Sequence, residues 1–153
     1  MGNERENTVT LTLQQGYEFL AAFHNFPEAA PLLVDEPAPL GASHGPNAAA
    51  LLGTAVGNCL AASLLFCLRR SRVEVAGLEA HVSVRVARSD SGRMRVSGIE
   101  VALAPELADS ADAAKLLRCQ DLFEDFCVVT ASIRKGIDVR VGIAEPREST
   151  ATA

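Results

Sequence analysis

Residues 45–59 read GPNAAALLGTAVGNC, a Gly-Pro-Asn start followed by small and apolar residues that end in a cysteine. Asn47 is a residue type that caps helix N-termini. The apolar run continues beyond Cys59 until Arg69 and Arg70, whose positive charges suit the C-terminal end of a helix dipole. The stretch therefore predicts a long helix from Asn47 to about residue 70.

This predicted helix is apolar on all sides, which raises the question of a membrane span. It is rich in Ala and Gly and carries four polar residues, Asn47, Thr54, Asn58 and Ser63. A helix that is apolar all round also belongs in the core of a protein or at an interface. We therefore expect a central buried helix and no membrane partner.

The segments before and after this helix have the alternation of β-strands. Five of the seven prolines fall in residues 27–46, which excludes a helix there. A turn at Gln14-Gln15-Gly16 and a second at Ser91-Gly92 separate the strands of two hairpins. A change of phase at Ser97-Gly98 predicts a β-bulge at Gly98. The predicted strands are 8–13, 17–23, 32–34, 80–88 and 94–103.

The remaining chain predicts two helices and a last strand. Asp109 or Ser110 is expected to cap a helix whose apolar spacing continues to Phe126. A short helix through Ile133 and a strand over residues 137–143 follow. We expect an α+β protein with a disordered N-terminus at 1–7, a single domain at 8–144 and a flexible tail at 145–153.

Composition and charge limit the class of partner. The 153 residues are 48% hydrophobic and 22% charged, which is typical of one domain with a substantial core. The net charge of -5 repels phosphate backbones and anionic headgroups, so we expect no nucleic acid and no membrane partner. The polar start of the chain does not resemble a secretory signal, which favours a cytoplasmic location.

Four cysteines are the candidate reactive groups. Cys59 ends the small-residue run and Cys127 precedes the short helix, and if the two sulfurs meet in the fold, they suit thiol redox chemistry. Burial is expected to raise the pKa of Cys59, and the acidic residues around 121–125 to disfavour a thiolate at Cys127. Cys67 and Cys119, each eight residues from one of these, are expected to be core residues or incidental thiols. All four also fit ordinary buried cysteines.

A metal site is not expected from these residues. The chain has no Cys-x-x-Cys motif, and two cysteines eight residues apart on a helix lie about 12 Å apart, too far to share one ion. Of the three histidines, His44 is the functional candidate because it precedes the cysteine-bearing helix. We predict neither a metal nor another cofactor.

The order of these elements resembles the OsmC/Ohr family of thiol peroxidases over about residues 8–143. The resemblance rests on Val-Asp-Glu-Pro at 34–37 with Leu-Gly at 40–41, on 45–47 leading to Cys59, and on Cys-Val-Val at 127–129 leading to 134–139. It implies an OsmC-like α+β fold with antiparallel sheets around a buried cysteine-bearing helix. It also implies an intertwined homodimer whose two active sites draw on both subunits.

The resemblance implies a two-cysteine mechanism on organic hydroperoxides. Cys59 would attack the O–O bond as a thiolate, leaving a sulfenic acid and releasing an alcohol. Cys127 would resolve the sulfenic acid to a disulfide, which a dithiol reductant reopens.

Two family features differ in this chain. A glutamate in a Pro-Glu pair just inside the helix is replaced by Ala48-Ala49, and residues 8–46 contain no arginine or lysine to supply the arginine of the N-terminal hairpin region. Arg134, His44 or a basic residue of a partner subunit are the candidates to stabilise a thiolate, with Arg134 ranked first. The alternative function is a non-catalytic OsmC-like dimer that binds a small hydrophobic ligand.

Overall fold

The computed structural model describes residues 4–109 and 112–146. Residues 1–3 and 147–153, and with them most of the predicted disordered ends, lie outside the described residues, as does Ser110. The described elements in chain order are β1 (Val9–Leu13), β2 (Phe19–Phe23), β3 (Leu32–Val34), α1 (Ala48–Arg70), β4 (Val75–Arg88), β5 (Met94–Leu107), α2 (Ala113–Gln120), a 3-10 turn (Phe123–Phe126) and α3 (Val128–Lys135).

The first sheet contains β1, β2 and β3 in that order, all antiparallel. The predicted turn at 14–16 extends to Glu18, where the Gln14 amide donates to the Glu18 carbonyl at 2.9 Å. Gly16 has φ +51, a conformation that costs glycine little. β2 consequently begins two residues later than predicted.

The second sheet is the long hairpin of β4 and β5, whose strands exceed the predicted ones. Pro105 and Gly77 interrupt the alternation near its open end, so the sequence pattern there does not indicate a strand. The predicted bulge is present, because Arg85 pairs with Gly98 whereas Val86 pairs with Val96. Ser97 is therefore the extra residue.

Helix α1 begins and ends as predicted and packs against β4. The Asn47 side chain accepts from the Ala50 amide at 2.9 Å, which caps the first turn. Glycine permits the close approach to the sheet: a Cβ atom at Gly53 would lie 2.6 Å from Val84 Cγ2, and one at Gly57 would lie 2.5 Å from Val82 Cγ2.

Helix α1 is buried on one face. By length and composition alone it could cross a membrane. In this chain, the buried residues Val56, Leu60, Leu64 and Leu68 lie on the protein core, while Phe66 is 47% exposed. Helix α1 was expected to be buried on all sides, and within one chain it is buried on one face.

The predicted second helix is broken after Gln120, and this part of the prediction is wrong. The capping residue is Asp112, and α2 is followed by the separate 3-10 turn. The apolar spacing did not identify the buried positions correctly, because Leu117 and Leu122 are more than half exposed whereas Cys119 is 1% exposed. The break allows Phe123 to pack on the core beside Cys119.

The predicted last strand is also not formed. Residues 137–143 have no regular structure and pair with no strand among the described residues. Their alternating apolar side chains are exposed, from 61% at Ile137 to 98% at Ile143. A strand needs a neighbour to satisfy its backbone hydrogen bonds, and the described part of this chain supplies none here.

Candidate functional site

The two candidate cysteines meet between α1 and α3. Cys59 lies in the middle of α1, and Cys127 lies between the 3-10 turn and α3. Cys59 packs against the apolar cluster formed by Cys127, Val56 and Leu60, and each thiol shifts the pKa of the other. Both are free thiols, and Cys127 is fully buried. The arrangement therefore places two free thiols from separate segments in one apolar cluster.

Cys127 is the N-cap residue of α3. The Thr130 amide donates to Cys127 Sγ at 3.4 Å, and Thr130 Oγ1 lies 3.0 Å from the same sulfur. Burial alone would raise the pKa of Cys127, but the Thr130 hydroxyl, the Cys59 thiol and the amides of Thr130 and Val129 outweigh it and lower the pKa.

The neighbouring acidic residues were expected to disfavour a thiolate at Cys127, and the donors around the sulfur nevertheless lower its pKa. One of those acids, Glu124, forms an ion pair with Arg134 at 2.7 Å, and this neutralises its charge in part. The hydroxyl and the amide of Thr130 lie 3.0 and 3.4 Å from the sulfur. The N-cap position was not apparent in the sequence, because cysteine is not among the favoured capping residues.

Cys59 has the opposite electrostatic environment. Its burial and its hydrogen bond to Cys127 raise the pKa of the Cys59 thiol, although the amides of Val129 and Val128 act in the other direction. The direction agrees with the expectation from sequence. Within the pair, negative charge is thus more stable on Cys127, with the Cys59 thiol as a donor to it.

Arg134 lies on the same short helix as Thr130 but faces the surface. Its guanidinium is bound to Glu124, and its side chain is 64% exposed. Arg134 and Glu124 also line a groove of about 670 Å³ between α1, β5 and α3. The groove is mainly apolar, with Val56, Leu60, Ile99, Val101, Phe123 and Ile133 among its lining residues.

His44 belongs to a separate polar cluster at the β1–β2 turn. His44 Nδ1 lies 2.6 Å from Glu18 Oε1, and this hydrogen bond and the charge of Glu18 raise the pKa of the imidazole. Burial would raise the pKa of Asp35, but the amides of His44, Ala42 and Glu36 outweigh it and lower the pKa.

These three side chains, Glu18, Asp35 and His44, have ligand atoms that all lie within 4.8 Å of one another, so the set has the composition of a cation site. Sequence reasoning did not identify it, because its members come from three separate segments. Asp35 already accepts backbone amides on both carboxylate oxygens, at 2.8 Å from Glu36 and 2.9 Å from Ala42. The hydrogen bonds of Asp35 to the backbone of residues 36–44 explain the position of this carboxylate without a cation.

Cys67 and Cys119 lie in the core, which was one of the two expectations, and they are not incidental thiols because they form a disulfide with a Cα–Cα distance of 5.8 Å. The signal for this pair was present in the spacing. Cys59 and Cys67 are eight residues apart, and so are Cys119 and Cys127. Two segments that run antiparallel with equal spacing bring both cysteine pairs together.

Comparison with known proteins identifies the family and the fold of this chain. A family model described as OsmC-like protein matches residues 41–142. No curated protein sequence matches the chain. An OsmC-like protein of unknown function from Vibrio cholerae has a solved structure with a TM-score of 0.73 at 12% identity, covering 84% of this chain and 93% of that one.

Two solved organic hydroperoxide resistance proteins have the same fold. OsmC from Legionella pneumophila gives a TM-score of 0.61 at 13% identity, covering 90% of this chain and 96% of that chain. OhrB from Bacillus subtilis gives 0.57 at 20% identity, covering 87% and 95% respectively. With its family match and its α+β fold of two antiparallel sheets and three helices, the chain belongs to the OsmC-like protein family.

Proposed function

We propose that this protein is a thiol-dependent peroxidase that reduces organic hydroperoxides with Cys59 and Cys127. The observation that carries the proposal is the packing of these two free thiols, from separate segments of the chain, in one apolar cluster. Relatives of the same fold are organic hydroperoxide resistance proteins in Legionella pneumophila and Bacillus subtilis. No metal or other cofactor takes part in the proposed reaction.

The pKa order of the pair suggests how the attacking thiolate forms. The Cys127 thiolate, whose pKa is the lower of the two, takes the proton of the Cys59 thiol that packs beside it. Cys59 Sγ then attacks the distal oxygen of the hydroperoxide, the O–O bond breaks, and the alkoxide leaves as an alcohol with the proton held by Cys127. Cys59 becomes a sulfenic acid.

The low pKa of Cys127 also favours the second step, in which the sulfenic acid on Cys59 is converted to a disulfide. Cys127, again a thiolate, attacks the Cys59 sulfur, and the hydroxyl of the sulfenic acid leaves as water after protonation. An external dithiol then reduces the Cys59–Cys127 disulfide by two exchange steps and is itself oxidised to a disulfide. Each cycle consumes one hydroperoxide and one dithiol.

The apolar groove accounts for a preference for organic substrates. Its side chains Val56 and Leu60 also belong to the cluster that contains both cysteines. An alkyl or aryl group in the groove would lie against Leu60, the residue that follows Cys59 in α1. We propose Arg134, at the rim, as the cation that orients the peroxide, with the imidazolium of His44 as second candidate.

The test is consumption of an organic hydroperoxide by the purified protein with a dithiol reductant. We expect turnover that disappears in Cys59→Ser, because the serine hydroxyl is a far weaker nucleophile. Thr54→Ser, a conservative change at an exposed position of the same helix, should retain it. Turnover that persists in Cys59→Ser would overturn the proposed mechanism.

We further propose that the protein acts as a homodimer. The segment 137–143 alternates apolar and other residues but has no strand partner within the described chain, and β1 exposes Val9, Leu11 and Leu13. A second copy would pair with this segment and cover the open face of α1. Sedimentation analysis should give a dimer for the full chain and a monomer for a chain that ends at Gly136. A full-length monomer would contradict the proposal.

The cytoplasm is the proposed compartment, because the cycle consumes a dithiol reductant and cytosolic thiols are kept reduced. Immunoblotting of separated cell fractions tests this location. A signal confined to the secreted or envelope fractions would exclude it.

A ligand-binding protein without catalysis is the second candidate. Ala48-Ala49 and the lack of lysine and arginine in 8–46 favour it, since a thiolate has no cation from this region. Under this hypothesis a fluorescent hydrophobic dye binds the groove, Cys59→Ser leaves its affinity unchanged, and no hydroperoxide is consumed. Turnover that depends on Cys59 would exclude it.

A further inference from the structure

The Cys67–Cys119 disulfide joins two segments that lead directly to the candidate site. Cys67 lies two helical turns after Cys59 on α1, and Cys119 lies near the end of α2. Cys119 is 1% exposed and packs with Leu64, Leu68 and Val73 in an apolar cluster. The disulfide therefore fixes the end of α2 to the last turns of α1.

Only a short, hydrogen-bonded segment separates Cys119 from Cys127. The Leu122 amide donates to the Cys119 carbonyl at 3.1 Å, and the Cys127 amide donates to the Glu124 carbonyl at 3.0 Å. Phe123, between them, packs against both the cluster around Cys119 and the cluster around Cys127. Hydrogen bonds and the packing of Phe123 therefore connect Cys119 on α2 to Cys127.

We propose that Cys67–Cys119 is a second redox site of this chain, a clamp whose closed form holds Cys127 in contact with Cys59. The clamp rests on the proposed pairing of Cys59 with Cys127 and adds regulation to it. When the clamp is open, the segment 120–127 loses its covalent attachment to α1. Disulfide formation at the active pair then becomes slower.

Opening of the clamp is a balanced thiol–disulfide exchange. A thiolate of an external dithiol attacks Cys67 Sγ, the more accessible sulfur, and the Cys67–Cys119 bond breaks. Cys119 leaves as a thiolate near Ser71, whose Oγ lies 3.8 Å from Cys119 Sγ and can donate to it. The second thiol of the reductant displaces Cys67, so the reductant becomes a disulfide and the chain gains two thiols.

A cytoplasmic location would favour a redox role over a permanent crosslink. Disulfides are rare in the cytosol, and those that occur there are usually catalytic or redox-sensing. Cys67 and Cys119 are also not expected to react with the peroxide beside Cys59, because Cys67 is about 12 Å from Cys59 along the helix. The effect of this pair must come through the position of Cys127.

The first experiment tests whether the pair is redox-active. The variant Cys59→Ser/Cys127→Ser retains Cys67 and Cys119 as its only cysteines. In the wild type, one tryptic peptide contains both Cys59 and Cys67 and another contains both Cys119 and Cys127, so a digest would not separate the two pairs. The variant is equilibrated with glutathione buffers, denatured and alkylated, and its mass is measured by mass spectrometry. We expect no alkylated thiol in oxidising buffer and two in reducing buffer. Two thiols, or two glutathione adducts, at every oxidising ratio would overturn the proposal.

The second experiment tests the effect on the active pair without any hydroperoxide, so an inactive peroxidase does not affect it. Wild-type protein with two free thiols and Cys67→Ser/Cys119→Ser are oxidised with diamide. We expect Cys59–Cys127 closure about tenfold slower in the variant, since a misplacement of about 1 Å can cost about 100-fold. Equal rates would overturn the clamp.

A second variant separates this result from a folding defect. Cys67→Ala/Cys119→Ala removes the disulfide without adding hydroxyl groups to the core, and circular dichroism reports its helix content. It should close Cys59–Cys127 as slowly as the serine variant, and closure at the rate of clamped wild type would contradict the proposal.

Discussion

At the scale of single residues, the low pKa of Cys127 follows from its position at the N-terminus of α3. As the N-cap of α3, its sulfur replaces the side-chain oxygen of a usual capping residue and accepts from Thr130. The sequence predicted the burial effect on Cys59, because a mid-helix thiol among apolar residues is desolvated wherever the helix packs. It did not predict the low pKa of Cys127, because that pKa depends on where α3 begins.

The pKa order of the two thiols can be measured directly. With the Cys67–Cys119 disulfide closed, Cys59 and Cys127 are the only free thiols, and ultraviolet thiolate absorbance should show one ionising below the usual cysteine pKa and the other above it. In Thr130→Val the lower pKa should rise, because the hydroxyl that stabilises the Cys127 thiolate is lost. Thr54→Val, on an exposed face, is the matched control. An unchanged lower pKa in Thr130→Val would contradict the assignment.

At the scale of elements, the helix–sheet contact fixes the position of Cys59. Gly53 and Gly57 bring α1 close to Val84 and Val82 of β4. The strand alternation and the helix cap were predictable because they are local patterns. The break after α2 and the unpaired segment 137–143 were not, because each depends on what the chain meets in three dimensions.

Gly53→Ala tests this close contact through the sign of its effect. At a free helical site, alanine would stabilise by about 1 kcal/mol relative to glycine. The new methyl group would lie 2.6 Å from Val84 Cγ2, and such overpacking costs about 1–3 kcal/mol, so we expect net destabilisation in chemical denaturation. Thr54→Ala, next to it on an exposed face, should change the free energy of unfolding by less than about 0.5 kcal/mol. A more stable Gly53→Ala would contradict the packing.

At the scale of the whole molecule, two antiparallel segments carry two cysteine pairs at equal spacing. Cys59 meets Cys127, and Cys67 is bonded to Cys119. The family resemblance indicated the first pair from sequence. The second pair was missed because each spacing of eight was considered within one helix, where it separates two thiols, and not across two facing segments, where it pairs them.

The most direct test of the central claim is a single turnover followed by mass spectrometry. The reduced protein receives one equivalent of an organic hydroperoxide and is then alkylated. We predict loss of two alkylatable thiols in the wild type as Cys59–Cys127 forms, and a sulfenic acid on Cys59 in Cys127→Ser. Sulfenic acid on Cys127 in Cys59→Ser, with none on Cys59 in Cys127→Ser, would contradict the account and reverse the two roles.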